Sequence, residues 1–350
     1  MTSFFGNNVN TQNTLKIIRL MPKIELHLHL EGAFPLDSLL RLIKKYGNNE
    51  ITDLETLKQK FVFTDFGHFI DTWYWKSAFY REPVDIEDMA YSTIVNMSQQ
   101  NIIYAEVFFS PWDFVKPQMP VQAITEAVIA GVRRAESDYP IRIGLITDII
   151  RNHGHETAIK RLNEITPYKS EIIGIGLGGS EKEFPAKLFT EAFEEAGKRG
   201  FHLEAHAGEA DGPDSVWDAL RLLHAERIGH GVRAIEGPKL IDYLRFLQIP
   251  LEVCVTSNLK TRIFNTAKEH PIRRLFDDGL LITINSDDPT MFGSNLTDEL
   301  NLLISDYHFS LPEISHLMQN AIQASFASSI LKQQLRQKHT DYWDSISVFE

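Results

Sequence analysis

The sequence predicts an α/β protein, a single (β/α)8 TIM barrel with a helical insertion after its first strand, and three observations carry that expectation. Short β-type runs alternate with longer amphipathic segments along the chain, the rhythm of βα units on a parallel sheet. Eight such runs can be counted, with no repeat, low-complexity tract or linker-like boundary between them. Polar residues gather just past the ends of those runs. A doubly wound open sheet would give the same periodicity, so periodicity alone leaves both architectures open.

Taken in order, residues 1–14 (MTSFFGNNVNTQNT) read as a flexible arm, and residues 15–350 as one catalytic domain. The first run is 24–28 and the second 102–108. The long interval between them, 35–100, reads as several helices and contains Phe69-Ile-Asp-Thr-Trp73-Tyr74-Trp75. An insertion after the first strand of a barrel lies over its C-terminal mouth, where such folds keep their active sites. The aromatics there read equally as helix core or as a pocket lid. The remaining runs are 141–148, 172–177, 201–205, 227–229, 251–255 and 281–285. The stretches between them, such as 185–198 and 239–247, space apolar residues by three and four, as helices packed on one face do.

Composition narrows the function. Of 350 residues, 43% are hydrophobic and 23% charged, the balance of a soluble globular protein with an ample core. A net charge of -12 argues against nucleic acid or an anionic membrane as partner and suits an enzyme acting on a small molecule. The N-terminus has neither a basic region nor a long apolar run, so no signal peptide is expected, and no stretch is long enough to span a bilayer. Cys254 is the only cysteine, which excludes an internal disulfide and points to a cytoplasmic location. It also excludes a cysteine-rich zinc site, so any metal must be held by histidines and carboxylates.

Those residue types sit where a barrel would need them. The first run continues as His27-Leu28-His29-Leu30-Glu31-Gly32, and two histidines at i and i+2 on a strand point the same way. The fifth run ends in His206-Ala207-Gly208-Glu209, the sixth in His230-Gly231 and the eighth in Ser286-Asp287-Asp288-Pro289. Singly, each would pass as an exposed histidine or an ordinary turn. Together they offer the ligand types that suit Zn2+, since neutral imidazoles and a carboxylate bind it well and three His with one Asp leave room for a water. A metal there would bring the pKa of that water toward about 7. Glu209 is placed to shuttle protons and His230 to orient the nucleophile.

At these residues the sequence resembles the adenosine deaminase family. Met21-Pro-Lys-Ile-Glu-Leu-His-Leu-His-Leu-Glu-Gly32 looks like that family's opening signature. Ala205-His-Ala-Gly-Glu209, Arg227-Ile-Gly-His-Gly231 and Asn285-Ser-Asp-Asp-Pro289 match its other signatures, in order, and the likeness extends from about Met21 to Leu331. The resemblance implies one zinc ion per chain, bound by His27, His29, His206 and Asp287. It implies that Glu209 passes a proton to purine N1 and that His230 helps the activated water attack C6. Asp288 would hydrogen-bond N7, the Gly179 backbone N–H would contact N3, His29 would adjoin the substrate and Glu31 would reach a ribose hydroxyl. The expected partner is a purine nucleoside or base, with adenosine (and 2′-deoxyadenosine) going to inosine and ammonia. Adenine and aminodeoxyfutalosine are the alternative substrates, and a non-catalytic purine-binding protein is the alternative of another class.

Three features depart from adenosine-specific members. Glu31 stands where those enzymes carry Asp, Gly178-Gly179-Ser180-Glu181 replaces Ala-Gly-Asp-Glu, and Phe108 stands where Arg is common. They bear on the sugar side of the pocket and leave the deamination chemistry intact. Binuclear amidohydrolases share the His-x-His but bridge two metals with a carboxylated Lys after the fourth strand. Glycines occupy that position here, which favours a single metal. Deaminases with two or more zinc-binding cysteines are excluded by the lone Cys254.

Overall fold

Eight parallel strands lie side by side in sequence order: β1 (Lys23–His29), β2 (Ile102–Phe109), β3 (Arg142–Ile150), β4 (Ile172–Gly178), β5 (His202–Ala207), β6 (Arg227–His230), β7 (Leu251–Val253) and β8 (Ile282–Ile284). A computed structural model describes residues 4–47, 50–64 and 66–347. Strand order never reverses, and a parallel bridge between Leu28 and Asp287 brings the end of the eighth unit back to β1. The His29 N–H donates to the Asp287 carbonyl at 2.9 Å, and the Asp287 N–H to the His27 carbonyl at 3.1 Å. The chain is therefore a nearly closed (β/α)8 barrel, and the open doubly wound sheet is set aside.

Helices cover the outside because each presents an apolar stripe to the strands. Val121–Asp138 buries Ile124, Val128, Val132 and Ala135, spaced as one helical face requires. Leu311–Ala324 is started by a capping box in which the Glu313 N–H donates to Ser310 Oγ while the Glu313 carboxylate accepts from the Ser310 N–H. The insertion after β1 is helical, with Leu36–Lys45, Leu54–Gln59, Phe66–Ser77 and Pro83–Gln99 as its main helices. Among the described residues no helix is long and apolar enough to cross a membrane.

The N-terminal segment differs from the expected flexible arm. Residues 1–3 lie outside the described residues, but from Phe4 the chain is helical to Leu20. Nothing breaks the helix before Pro22, and its last turns are anchored by burial of Ile17 and Ile18. The Tyr342 hydroxyl, from the last helix, donates to the Ile17 carbonyl at 2.6 Å. That contact anchors the C-terminal end of the helix.

The barrel interior is more polar than the aliphatic layers common in this architecture. Glu25, Glu106, Glu204, Arg227, Glu252 and Asn285 are all buried. Arg227 pairs with Glu106 and, through Nε at 2.5 Å, with Glu252. Its guanidinium also stacks 3.7 Å from the Phe326 ring centroid. A buried arginine shared by two carboxylates avoids stranding a charge in low dielectric, and it holds those carboxylates rigidly beneath the barrel mouth.

Candidate active site

Alternation along β1 directs Glu25, His27 and His29 inward, and the ends of β5, β6 and β8 bring His206, His230 and Asp287 to the same point. His29 Nε2 lies 3.2 Å from His206 Nε2, and Asp287 Oδ1 lies 3.5 Å from His27 Nε2 and 3.4 Å from His29 Nε2. Ligands about 2.0–2.1 Å from a tetrahedral ion sit roughly 3.3 Å from one another, so the spacing fits a divalent metal. His27 Nε2 is fully buried with no hydrogen-bond partner, a lone pair directed at the shared centre. Groups of this set recur among the clusters able to hold a metal ion.

Each of these imidazoles has a carboxylate behind it. His27 Nδ1 lies 2.8 Å from Glu252 Oε2, His29 Nδ1 3.3 Å from Asp148 Oδ2 and His206 Nδ1 3.4 Å from Glu204 Oε1. A carboxylate at Nδ1 favours a proton there, leaving Nε2 free to bind metal. Ser257 Oγ donates to Asp287 Oδ2 at 2.6 Å and fixes the fourth donor. The sequence motifs point to Asp287 as a donor but not to Asp148, Glu204 or Glu252 as partners of the histidines. Their signal was present, since Glu204 precedes His206 by two and so shares its face of the strand.

His230 is oriented by a chain of hydrogen bonds that begins at the backbone. The Ile272 N–H donates to His270 Nδ1 at 3.2 Å, so the other ring nitrogen of a neutral His270 carries its proton. That Nε2–H lies 3.2 Å from Asn258 Oδ1, which turns the amide nitrogen toward His230 Nδ1 at 3.1 Å. His230 is thereby left with a proton on Nε2, which lies 3.8 Å from Glu209 Oε2 and 3.9 Å from Asp287 Oδ2. Burial lowers its pKa to about 3, keeping the ring neutral. Burial, reinforced by the charges of Asp287 and Glu181, pushes the Glu209 carboxyl up to about 8. A carboxylic acid that keeps its proton at neutral pH beside a metal site is equipped to donate it.

Above these groups lies a cavity of about 160 Å³, roughly ten times what one water needs. Glu209, His230, Asp287, Asp288, His29, His206 and Gly179 all line it. Gly179 has φ +94°, and a Cβ there would come 2.6 Å from Asn152 Oδ1. Gly32 is equally constrained, for its Cβ would fall 1.6 Å from Asp288 Oδ1. Phe69, Ile70, Trp73, Tyr74 and Phe292 form the apolar side. Of the aromatic stretch on helix Phe66–Ser77, Phe69, Trp73 and Tyr74 line the cavity, Phe69 also packing on Phe292, while Trp75 turns to pack on Phe79.

Glu31 is placed differently from the other expected site residues. It is buried, accepts the Ser110 N–H at 2.7 Å and is not among the cavity-lining side chains. The Lys76 ammonium, itself buried, donates to the Glu31 carbonyl. Asp113, which the sequence reading did not single out, does face the cavity.

Known proteins match this arrangement across most of the chain. The family model described as adenosine deaminase matches residues 22–342. An adenine deaminase of Psychrobacter cryohalolentis is 36% identical over 329 residues, covering 91% of this chain and 97% of its own length. One from Ectopseudomonas mendocina is 34% identical, covering 89% and 99%. Among solved structures, the adenine deaminase of Arthrobacter aurescens superposes with a TM-score of 0.88 at 30% identity, covering 93% of this chain and 99% of its own. A zinc-bound amidohydrolase from Burkholderia ambifaria gives 0.88 at 26% identity, covering 96% and 94%. On these matches and this geometry, the chain belongs to the adenosine deaminase family and is an aminohydrolase deaminase.

Proposed function

We propose that the protein hydrolyses adenine to hypoxanthine and ammonia, with one zinc ion per chain held by His27, His29, His206 and Asp287. The observation that carries this reading is the match over nine-tenths of the chain to proteins named adenine deaminase. Adenosine, the substrate first expected from the motifs, draws no support from those relatives. The placement of Glu31 favours the free base as well, because the carboxylate assigned to a ribose hydroxyl is engaged with the Ser110 N–H behind the cavity wall.

Bound zinc would supply a nucleophile from water near neutral pH. The protein's own groups do the rest. Glu209 gives its proton to N1, which relieves the aromaticity that makes C6 a poor electrophile. His230, with its Nε2 proton, donates to the incoming oxygen and holds it on the C6 face. Asp288, whose carboxyl burial raises to about 7, donates in its acid form to N7 and the Gly179 N–H donates to N3, fixing the ring in its plane. Glu209, left as a carboxylate, takes a proton from the incoming oxygen and passes it to the amino group, which leaves as ammonia, and solvent then restores its acid form. The aromatic side of the cavity keeps bulk water from the protonated ring.

Ammonia release from adenine, adenosine, 2′-deoxyadenosine, adenosine monophosphate and aminodeoxyfutalosine tests the reading. Adenine should have the highest kcat/KM by at least about 100-fold, with metal analysis giving one zinc per chain. A nucleoside turned over as well as adenine would overturn it.

A further inference from the structure

We infer that Asp113 is the residue that recognises the free base, accepting a hydrogen bond from the N9–H that a nucleoside lacks; the inference rests on the adenine reading above. Its starting point is the order of groups around the barrel. Asp288 follows β8, Gly179 follows β4 and Glu209 follows β5. Around a purine, N9 lies on the edge between N7 and N3, on the side away from N1 and C6. With N7 at Asp288 and N3 at Gly179, the N9 edge must face the sector closed by the loops after β1, β2 and β3.

Apart from the aromatic Trp73 and Tyr74, three polar side chains of that sector line the cavity: His29, Asp113 and Asn152. His29 is committed to the metal cluster, and Asn152 Oδ1 already accepts the Ser180 N–H at 2.8 Å. Asp113 is held but unfilled. Its side chain is 6% exposed, and Oδ2 accepts from the Trp73 indole Nε1 at 3.1 Å. Oδ1 is buried and makes no hydrogen bond, and its neighbour at ion-pair distance among the described residues is His153 Nε2, 3.2 Å away. A carboxylate has about four acceptor positions, so Oδ1 has capacity left. Leaving it desolvated is costly unless a ligand N–H completes it.

Free adenine offers such a donor. When N7 is bare and accepts the hydrogen bond that Asp288 donates, the ring proton resides on N9. A 9-substituted purine replaces that proton by carbon, so it strands Oδ1 and pushes into the wall formed by Asp113 and Trp73. Selection of base over nucleoside then follows from one carboxylate, and Trp73 acts as the strut that aims it.

The test compares kcat/KM for adenine and 9-methyladenine in the zinc-loaded wild type, Asp113→Ala, Asp113→Asn and Trp73→Phe. Wild type should prefer adenine. Asp113→Ala should lose about 10–100-fold with adenine, chiefly in KM, while 9-methyladenine is unchanged or improved. Asp113→Asn, whose neutral oxygen is a weaker acceptor, should fall between the two. Trp73→Phe keeps the ring but not the N–H that aims Asp113, and should lose part of the preference. If Asp113→Ala lowers both substrates equally, or neither, Asp113 only tethers Trp73 and the inference fails. Should the alanine variant lose zinc or melt early, the asparagine variant decides by the same ratio. A wild type without activity on adenine would refute the substrate reading itself, an outcome visible before any variant is made.

Discussion

His27 Nδ1 lies 2.8 Å from Glu252 Oε2, and the other oxygen of Glu252 is held 2.5 Å from Arg227 Nε. The inner histidine of the His-x-His pair is thus braced, through one carboxylate, on a buried guanidinium at the base of the barrel. Glu252→Gln should weaken zinc binding by about 10–100-fold, read by competition with a chelator, with little change in the metal-saturated kcat. Unaltered affinity would show that His27 needs no brace.

Glu209→Gln keeps the shape of the acid and removes its proton. Turnover should fall by about 10²–10⁴-fold while metal content stays at the wild-type level. Loss of zinc in this variant would make Glu209 a ligand instead of an acid.

The hydrogen-bond chain from the Ile272 N–H predicts a single tautomer for His230. Nitrogen-15 NMR should find Nε2 protonated and Nδ1 bare, and His270→Ala should produce a mixture. A wild-type ring protonated on Nδ1 would contradict the assignment.

Gly32→Ala places a methyl group where Asp288 Oδ1 now lies, 1.6 Å from it. The enzyme should fold and bind metal but lose at least about 10-fold in kcat/KM as Asp288 is displaced. Wild-type activity would mean that the Asp288 rotamer is unimportant.

Zinc that binds only the folded chain adds stability. At a free concentration 100 times its dissociation constant the gain is about 2.7 kcal/mol, so chelation should lower the melting temperature reversibly.

Much of this was legible in the sequence. The eight strands fall within a few residues of the expected runs, because a strand buried on both faces writes itself as an apolar block bounded by polar loops. His27, His29, His206, Glu209, His230, Asp287, Asp288 and Gly179 converge because all sit at strand ends on one rim. Glu252 and Asp113 were not legible. Glu252 sits inside an apolar run, and only the barrel's closure reveals that His27 faces it. Asp113 lies in a short 3-10 turn after β2, and its value depends on Trp73, forty residues earlier. Glu31 shows the converse, since a motif position carries no information on which way the carboxyl turns.

The seam where the barrel closes bears on how the enzyme is made. Residues about 260 apart meet there, with Asn285 Oδ1 accepting the Leu26 N–H at 2.8 Å and Ser286 donating to Glu25. His27 emerges from the ribosome first among the clustered site residues, yet its neighbour Asp287 is synthesised only after seven βα units have preceded it. A nascent chain therefore carries an open crescent of histidines that lacks its carboxylate donor. Catalytic competence comes at the end of synthesis, when the eighth unit docks and joins the two ends of the sheet.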